Sequence, residues 1–246
     1  MSQRELLDEA HTPGGEPLTL TFEGGQYAVD IAGLLLMSSE AHHSEEHMAE
    51  IGCRDVRARH GARVLVGGLG MGYTLRAVLD RLGPTARVVV VELMDAVVGW
   101  NRGPIGHLAG HPLDDERVQV EVCDVVGYLA AGGEPFDTIL LDVDNGPEAF
   151  TLRTNARIYD RAGLQRVRRL LKPGGLLVVW SAFELPPFVD ALRAAGLEPH
   201  TVRVRARGSR GARHTLYVGR RPIEVWPGDR RRGGDDREDR RGRRRR

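Results

Sequence analysis

The sequence of 246 residues contains only two cysteines and a single lysine, Lys172. Cys53 and Cys123 lie far apart, and the first residues, MSQRELLDEAHTPGGEP, do not resemble a secretory signal. We therefore expect reduced thiols and a cytoplasmic protein instead of a disulfide framework. The chain also lacks an internal repeat and any run of about 18 apolar residues that would span a bilayer. These absences leave a globular protein with one main domain.

Charge is distributed unevenly along the chain, although the net charge is only +1. The last eighteen residues, DRRRGGDDREDRRGRRRR, hold ten arginines and five acidic side chains, a balance of about +5 that leaves −4 elsewhere. Because a tail without apolar residues cannot offset its ordering entropy, we expect disorder over residues 223–246. The arginines would suit contact with RNA or phosphates. We favour the alternative of a solubilising tail, since the chain uses arginine almost exclusively as its cation.

Strand-like and helical patterns alternate from residue 62 onward. This alternation predicts an α/β fold with a doubly wound, mostly parallel seven-stranded sheet that ends in an antiparallel hairpin. The predicted parallel strands are ARVLVGG, ARVVVVEL, RVQVEV, FDTILLDV and LLVVWSA, and the hairpin is PHTVRVRARG and RHTLYVGRR. The predicted helices are YTLRAVLDRLG, DAVVGWNRG, DVVGYLAAGG, DRAGLQRVRRLLKPGG and PPFVDALRAAG.

A short alternating segment precedes this region. PLTLTFEGGQYAVDIAG turns at Gly24-Gly25 and predicts a small β-hairpin. We therefore divide the chain into an N-terminal segment (1–16), the hairpin with a cleft-lining helix (17–60), a nucleoside-binding domain (61–222) and the arginine-rich tail.

Three features at predicted strand ends indicate a nucleoside pocket. The first strand runs into Gly68, Gly70 and Gly72, which permit a tight turn and a close approach of backbone to ligand. Glu92 ends the second strand, where a carboxylate accepts ribose hydroxyl hydrogens. Asp124 ends the third strand and is placed to accept from an exocyclic amine such as that of adenine.

The glycine loop also limits the choice of nucleoside. Tyr73 stands where a dinucleotide fingerprint needs its third glycine, which disfavours a nicotinamide oxidoreductase. No lysine follows the glycines as in a phosphate-binding loop. A nucleoside without phosphates is favoured, and S-adenosylmethionine is the common one.

The ordered motifs resemble a known family. The glycine loop, Glu92, DDERVQVEVCDVVGYL, FDTILLDVDNGPEAF and LKPGG resemble the class I methyltransferase fold, and more closely the spermidine synthase (polyamine aminopropyltransferase) family, over roughly residues 17–220. The resemblance implies that Asp142 is the catalytic base and Asp144 a second acid, before Gly146-Pro147. It also implies that HHSEEHMAEIG borders the substrate cleft, and that a homodimer is possible.

The carboxylate of Asp142 suits this chemistry because a protonated amine must lose its proton before it attacks a carbon bonded to a sulfonium. An ordinary Asp/Asn-Gly turn is the structural alternative for DVDNGP.

Met71 departs from the family pattern. It stands where the family has an acid that binds the amine of decarboxylated S-adenosylmethionine, and Ser44 and Glu45 stand where the family has tyrosine and glutamine. These differences favour methyl transfer from S-adenosylmethionine to a small amine or hydroxyl. Aminopropyl transfer from decarboxylated S-adenosylmethionine to putrescine is the alternative, and a non-catalytic nucleoside- or RNA-binding protein is the alternative from another class.

The segment SSEAHHSEEHMAEIG is rich in histidine. His43 and His47 share a helical face at a spacing that can ligate zinc, but no third ligand is evident, and we expect no metal. We favour a cleft-lining segment in which Glu45 or Glu46 meets a cationic substrate and a histidine carries a proton. A solvated helix is the open alternative.

Overall fold

The computed structural model describes residues 3–142, 156–208 and 210–223. Asp144 and residues 224–246 of the predicted tail lie outside this part of the chain. The strands are β1 (Glu5–His11), β2 (Pro17–Glu23), β3 (Gln26–Ile31), β4 (Leu34–Ser38), β5 (Arg63–Gly67), β6 (Arg87–Glu92), β7 (Val118–Val122), β8 (Phe136–Leu141), β9 (Leu171–Ser181), β10 (Glu198–Arg207) and β11 (Arg210–Arg220). The α-helices are α1 (His43–Cys53), α2 (Tyr73–Leu79), α3 (Asp95–Arg102), α4 (Val125–Ala131), α5 (Ala156–Tyr159), α6 (Arg161–Leu170) and α7 (Pro186–Ala194). Short 3-10 helices span Gly106–Ala109 and Pro112–Asp114.

The larger sheet has the strand order β10-β11-β9-β8-β5-β6-β7. Strands β5 to β9 pair in parallel, whereas β11 runs antiparallel to β9 and β10 antiparallel to β11. The predicted doubly wound, mostly parallel seven-stranded sheet with a C-terminal antiparallel hairpin is confirmed. Because β5 has β6 on one side and β8 on the other, the strand order reverses at β5, where ligands bind in such sheets.

The apolar runs of the central strands are explained by burial on both faces. In β5, Val64 and Val66 belong to a core cluster shared with α1 and the small sheet, whereas Leu65 packs into a second cluster with residues of α4, α6 and α7. Each buried side chain of this size stabilises the fold by roughly 1.5–3 kcal/mol. In the part of the chain that the structure describes, no helix has the length and apolar character to cross a membrane.

One boundary differs from the prediction. The helix expected over DRAGLQRVRRLLKPGG ends at Leu170, and LKPGG already forms the irregular start of β9. Pro173 disfavours helical backbone at Lys172, and the helix ends before that, because Leu171 is already extended with φ −85° and ψ 140°. Gly174 has a φ of 79° and continues the turn into the strand.

The smaller sheet contains the predicted hairpin and two further strands. Strands β2 and β3 pair across Gly24-Gly25 as expected, and the sheet order is β1-β2-β3-β4. β1 lies within the segment 1–16, for which the sequence predicts no element. Five of its seven side chains are exposed and three are acidic, so it lacks the apolar alternation that identifies a strand.

Candidate active site

A cavity of about 380 Å³ lies where the carboxyl ends of β5, β6, β7 and β8 face α1 and the small sheet. Its walls include the glycine loop, carboxylates from four different segments and an apolar side. A volume of this size falls within the range of small-molecule sites. The residues that line it include Thr12, Ile31, Leu36, Met37, Glu45, Gly68, Gly70, Met71, Thr74, Glu92, Met94, Asp124, Asp142, Trp180 and His214.

The glycine loop adopts the left-handed backbone that its sequence predicts. Gly68, Gly70 and Gly72 have φ angles of 89°, 54° and 84°. Gly68 and Gly70 line the cavity, whereas Gly72 is the N-cap of α2. A Cβ atom on Gly72 would lie 2.9 Å from Asn101 Oδ1, so a side chain there would disturb the packing behind the loop.

Glu92 is a buried carboxylate in the cavity wall, only 5% exposed. Its oxygens accept hydrogen bonds from the backbone N–H groups of Leu69 at 2.8 Å and Met94 at 2.9 Å. Burial raises the pKa of Glu92, and these backbone donors oppose the rise. The backbone of Leu93 and Gly70 also acts to lower this pKa, so the carboxylate is anchored to the glycine loop at the cavity wall.

Asp124 and Asp142 lie at the ends of the neighbouring strands. Asp124 is the N-cap of α4, where its side chain accepts from Val126 N–H at 3.0 Å. Asp142 follows β8, and its backbone N–H donates to the Gly67 carbonyl at 2.8 Å. The Thr74 hydroxyl donates to Asp142 Oδ2 at 3.3 Å, so α2 orients this carboxylate towards the cavity.

Helix α1 contributes one acidic side chain to the cavity. Glu45 lines it, and burial raises the pKa of Glu45. Glu46, His43 and His47 are not among the lining residues. Within the described ranges, no group of three or more His, Cys, Asp or Glu side chains is arranged to hold a metal ion.

The other side chains of the histidine segment interact among themselves. Glu46 Oε1 lies 2.8 Å from Nδ1 of His42, and the ring of His42 stacks on Tyr73 at 4.3 Å between centroids. The rings of His43 and His47 are 4.6 Å apart.

Sequence reasoning missed two aromatic residues of the cavity. Trp180 is the second-last residue of β9, and His214 packs edge-on against its indole with ring centroids 4.6 Å apart. A physical clue was present, because β11 is antiparallel and its first residues must therefore lie beside the carboxyl ends of the parallel strands.

The arrangement suits a cationic ligand that carries a nucleoside. Four carboxylates, Glu45, Glu92, Asp124 and Asp142, surround one cavity, and no Lys or Arg is among its lining residues in the described chain. An unbalanced set of buried or half-buried carboxylates attracts positive charge.

Comparisons with known proteins identify a family. The family model for the spermine/spermidine synthase domain matches residues 41–184, more than half of the chain. The polyamine aminopropyltransferase of Mycobacterium tuberculosis is 32% identical over 163 residues, which cover 61% of this chain and 30% of that protein. The chain therefore matches about a third of the length of this curated relative.

Solved structures agree at the level of the fold. A spermidine synthase in complex with the transition state analogue AdoDATO superposes with a TM-score of 0.68 at 15% identity, covering 89% of this chain and 73% of the other. The spermidine synthase of Thermotoga maritima gives a TM-score of 0.69 at 14% identity with the same coverage.

These findings correct the expectation of methyl transfer, which is wrong. Both the family model and the curated relative are aminopropyltransferases. The expectation gave too much weight to Met71, which is buried in the cavity wall. Glu45 and Asp142 line the same cavity, so an apolar residue at position 71 does not remove its negative charge.

Proposed function

The chain belongs to the spermine/spermidine synthase domain family, and from this premise we propose that it transfers an aminopropyl group from decarboxylated S-adenosylmethionine to a small amine such as putrescine. One observation carries the proposal. The family match over residues 41–184 includes all four carboxylates that line the cavity, Glu45, Glu92, Asp124 and Asp142.

Binding of the donor nucleoside is assigned to the glycine loop and two strand ends. Glu92, which lines the cavity at the end of β6, accepts from the ribose hydroxyls. Asp124 accepts from the adenine amine, and Gly68 and Gly70 let the backbone approach the ligand. The donor has no phosphate, which suits a loop without lysine.

The transfer itself is an in-line displacement. The amine nitrogen forms a bond to the carbon next to the sulfonium, the carbon–sulfur bond breaks, and the thioether leaves with the electron pair. Before this step the attacking ammonium must lose one proton, which Asp142 accepts. Thr74 keeps the Asp142 carboxylate oriented through its hydroxyl. Asp144, the second acid of the family motif, belongs to this proposal but lies outside the described residues.

The ammonium of the donor's aminopropyl group needs a negative partner other than residue 71. The Met71 thioether carries no charge, so we assign this role to the negative charge of the carboxylates that line the cavity. The apolar wall of Met37, Met71 and Trp180 then packs against the methylene groups of the aminopropyl chain.

The test is a product assay on the full chain. With decarboxylated S-adenosylmethionine and putrescine, we expect spermidine and methylthioadenosine in equal amounts, separated by chromatography. Asp142→Asn should lower kcat at least about a hundredfold, the scale of losing a general base, while leaving donor binding intact. Asp190→Asn, a matched change at an exposed acid of α7, should leave kcat unchanged.

Two outcomes would contradict the proposal. Absence of spermidine with saturating donor and acceptor would remove aminopropyl transfer to putrescine, and normal turnover by Asp142→Asn would remove the assignment of the base. A cytoplasmic location, expected from the two separated cysteines, is to be measured by fractionation. A homodimer, implied by the family resemblance, is to be measured by light scattering. RNA binding that is lost on deleting residues 229–246 would establish the alternative role of the arginines.

A further inference from the structure

A chain of hydrogen bonds links the cavity carboxylate of α1 to β11. The Ser44 hydroxyl donates to Glu45 Oε2 at 2.6 Å and lies 3.0 Å from His214 Nδ1. The side chain of Ser44 is fully buried, whereas Glu45 and His214 both line the cavity. Three polar side chains from two elements thus form one connected unit, and the proposed chemistry gives Ser44 and His214 no role.

The direction of these hydrogen bonds depends on the charge of Glu45. A hydroxyl has a single hydrogen, so while Ser44 donates to the Glu45 carboxylate its oxygen can only accept from His214. The ring must then carry its proton on Nδ1. If Glu45 becomes protonated, its own O–H can donate to Ser44, and the Ser44 hydroxyl is free to donate to an unprotonated Nδ1. Charge on Glu45 and the proton position on His214 are therefore coupled.

We propose that Ser44 and His214 hold the Glu45 carboxylate in its charged form, so that Glu45 binds an ammonium group of the acceptor amine. Asp142 serves the nitrogen that reacts, and Glu45 holds the second cation of a diamine. Ser44 and His214 are positioning residues, since they act through Glu45. This inference rests on the proposed function and names the side chains that give it a preference for diamines.

The surroundings make such support necessary. Burial raises the pKa of Glu45, and the Glu46 carboxylate on the same helix raises it further. The Ser44 hydroxyl and the charge of His42 act in the opposite direction. From α2, the Tyr73 phenol has its pKa raised by burial and by both glutamates, so it remains neutral and adds no negative charge. Asp142 faces the same cavity from β8.

His214 is suited to the neutral, Nδ1-protonated form. Burial lowers its pKa, and the aromatic face that packs against it comes from Trp180 of β9. A neutral donor ring stabilises the Glu45 anion through Ser44 without placing a competing cation in the acceptor site.

The first arm of the test is an NMR titration of the His214 ring in the full-length protein. In wild type we expect the Nδ1–H tautomer at neutral pH, identified from the ring ¹⁵N shifts. In Glu45→Ala the Ser44 hydroxyl can donate to Nδ1, so we expect the Nε2–H tautomer and protonation of the ring at a lower pH. An unchanged tautomer and an unchanged titration in Glu45→Ala would overturn the coupling, whether or not the enzyme makes spermidine.

The second arm measures putrescine binding by calorimetry with methylthioadenosine present, which needs no turnover. His214→Phe removes the donor to Ser44 and should weaken putrescine binding about tenfold near pH 7, the scale of one intramolecular hydrogen bond. Binding should recover at higher pH, where Glu45 ionises without help. His214→Asn retains a donor and should bind as wild type does.

Controls separate this inference from a purely structural role. His200→Phe, the same change at an exposed position of β10, should leave putrescine binding unaltered. A weakening in His214→Phe that is equal at every pH, or that His214→Asn shares, would indicate loss of packing and reject the inference. In turnover, His214→Phe should raise KM for putrescine while kcat stays within about twofold, unlike Asp142→Asn.

Discussion

Glu92 illustrates how one side chain of this protein combines a structural and a binding role. Its two oxygens accept from two backbone amides on different segments, Leu69 and Met94. A carboxylate is the only side chain of this length with two acceptor atoms, so the shape of the glycine loop depends on it. The geometry of the loop and the proposed ribose contact are therefore set by the same group.

Replacing Glu92 by glutamine tests this dual role. The amide NH₂ of Glu92→Gln would face one backbone N–H, leaving a buried donor without an acceptor. We expect the free energy of unfolding to fall by about 1–3 kcal/mol, and the affinity for decarboxylated S-adenosylmethionine to fall as well. Urea unfolding and calorimetry measure the two effects. Asp124→Asn is the control, because Asp124 accepts from a single backbone amide. We expect this variant to lose less free energy of unfolding than Glu92→Gln.

The carboxylates that follow the parallel strands were predicted from the sequence, whereas His214 of the C-terminal hairpin was missed. Glu92, Asp124 and Asp142 each follow a recognisable buried strand, so the topology alone places them around one cavity. His214 lies in β11, and its place beside the cavity depends on the antiparallel pairing of β11 with β9. The prediction of methyl transfer failed for a similar reason. It depended on Met71 alone, whereas the fold places several carboxylates in the same cavity.

At the scale of elements, Asp137 links the amino ends of β5, β8 and β9 through hydrogen bonds. Its buried carboxylate accepts from the backbone N–H of Arg63 in β5 at 2.8 Å and from Lys172 of β9 at 2.7 Å, and it also pairs with Arg59. Burial acts to raise the pKa of Asp137, but these donors outweigh it and the pKa is lowered. The cluster lies at the end of the sheet opposite the cavity.

The lowered pKa gives a prediction about acid stability. A carboxyl whose folded pKa lies below its unfolded pKa of about 3.8 stabilises the fold above that value, and the contribution is lost as pH falls through the folded pKa. Asp137→Asn should therefore lower the free energy of unfolding at pH 7 by about 2 kcal/mol, the scale of hydrogen bonds to a charged group. The difference from wild type should shrink below pH 4 in urea titrations.

Activity provides the control for this variant. Because Asp137 lies away from the cavity, kcat per folded molecule should match wild type. A constant stability difference from pH 7 to pH 3, or a selective fall in kcat, would contradict the structural role.

Elements buried on both faces were the ones that the sequence identified most completely. β5 and β6 each contain an apolar run, and β8 has one that follows the polar Asp137 and Thr138; all three were predicted as strands. β1 was not predicted, because it is stabilised mainly by its pairing with β2 and its own side chains are mostly exposed. The end of α6 was predicted too late. The apolar Leu171 continues the helical pattern of the sequence, but its backbone is already extended.

At the scale of the whole molecule, the small sheet and the large sheet share one core. Leu18, Leu20 and Val29 of the small sheet pack in the same cluster as Val64 and Val66 of β5. A polar contact reinforces this packing, since the buried Trp100 indole of α3 donates to Asp8 Oδ2 of β1 at 2.6 Å. The small sheet also provides cavity wall through Met37.

A shared core predicts that both sheets unfold together and that the donor stabilises both. Asp8→Ala leaves the Trp100 N–H without its acceptor and should lower the free energy of unfolding by about 1 kcal/mol; Asp8→Asn, which retains an acceptor oxygen, should lose less. Tryptophan fluorescence and far-UV circular dichroism should report one coincident urea transition in each variant.

Decarboxylated S-adenosylmethionine at about 100 times its Kd should raise the free energy of unfolding of both sheets together by about 2.7 kcal/mol. Two separate transitions, with the donor shifting only one, would mean that the small sheet folds independently and that its contribution to the cavity wall is not coupled to donor binding.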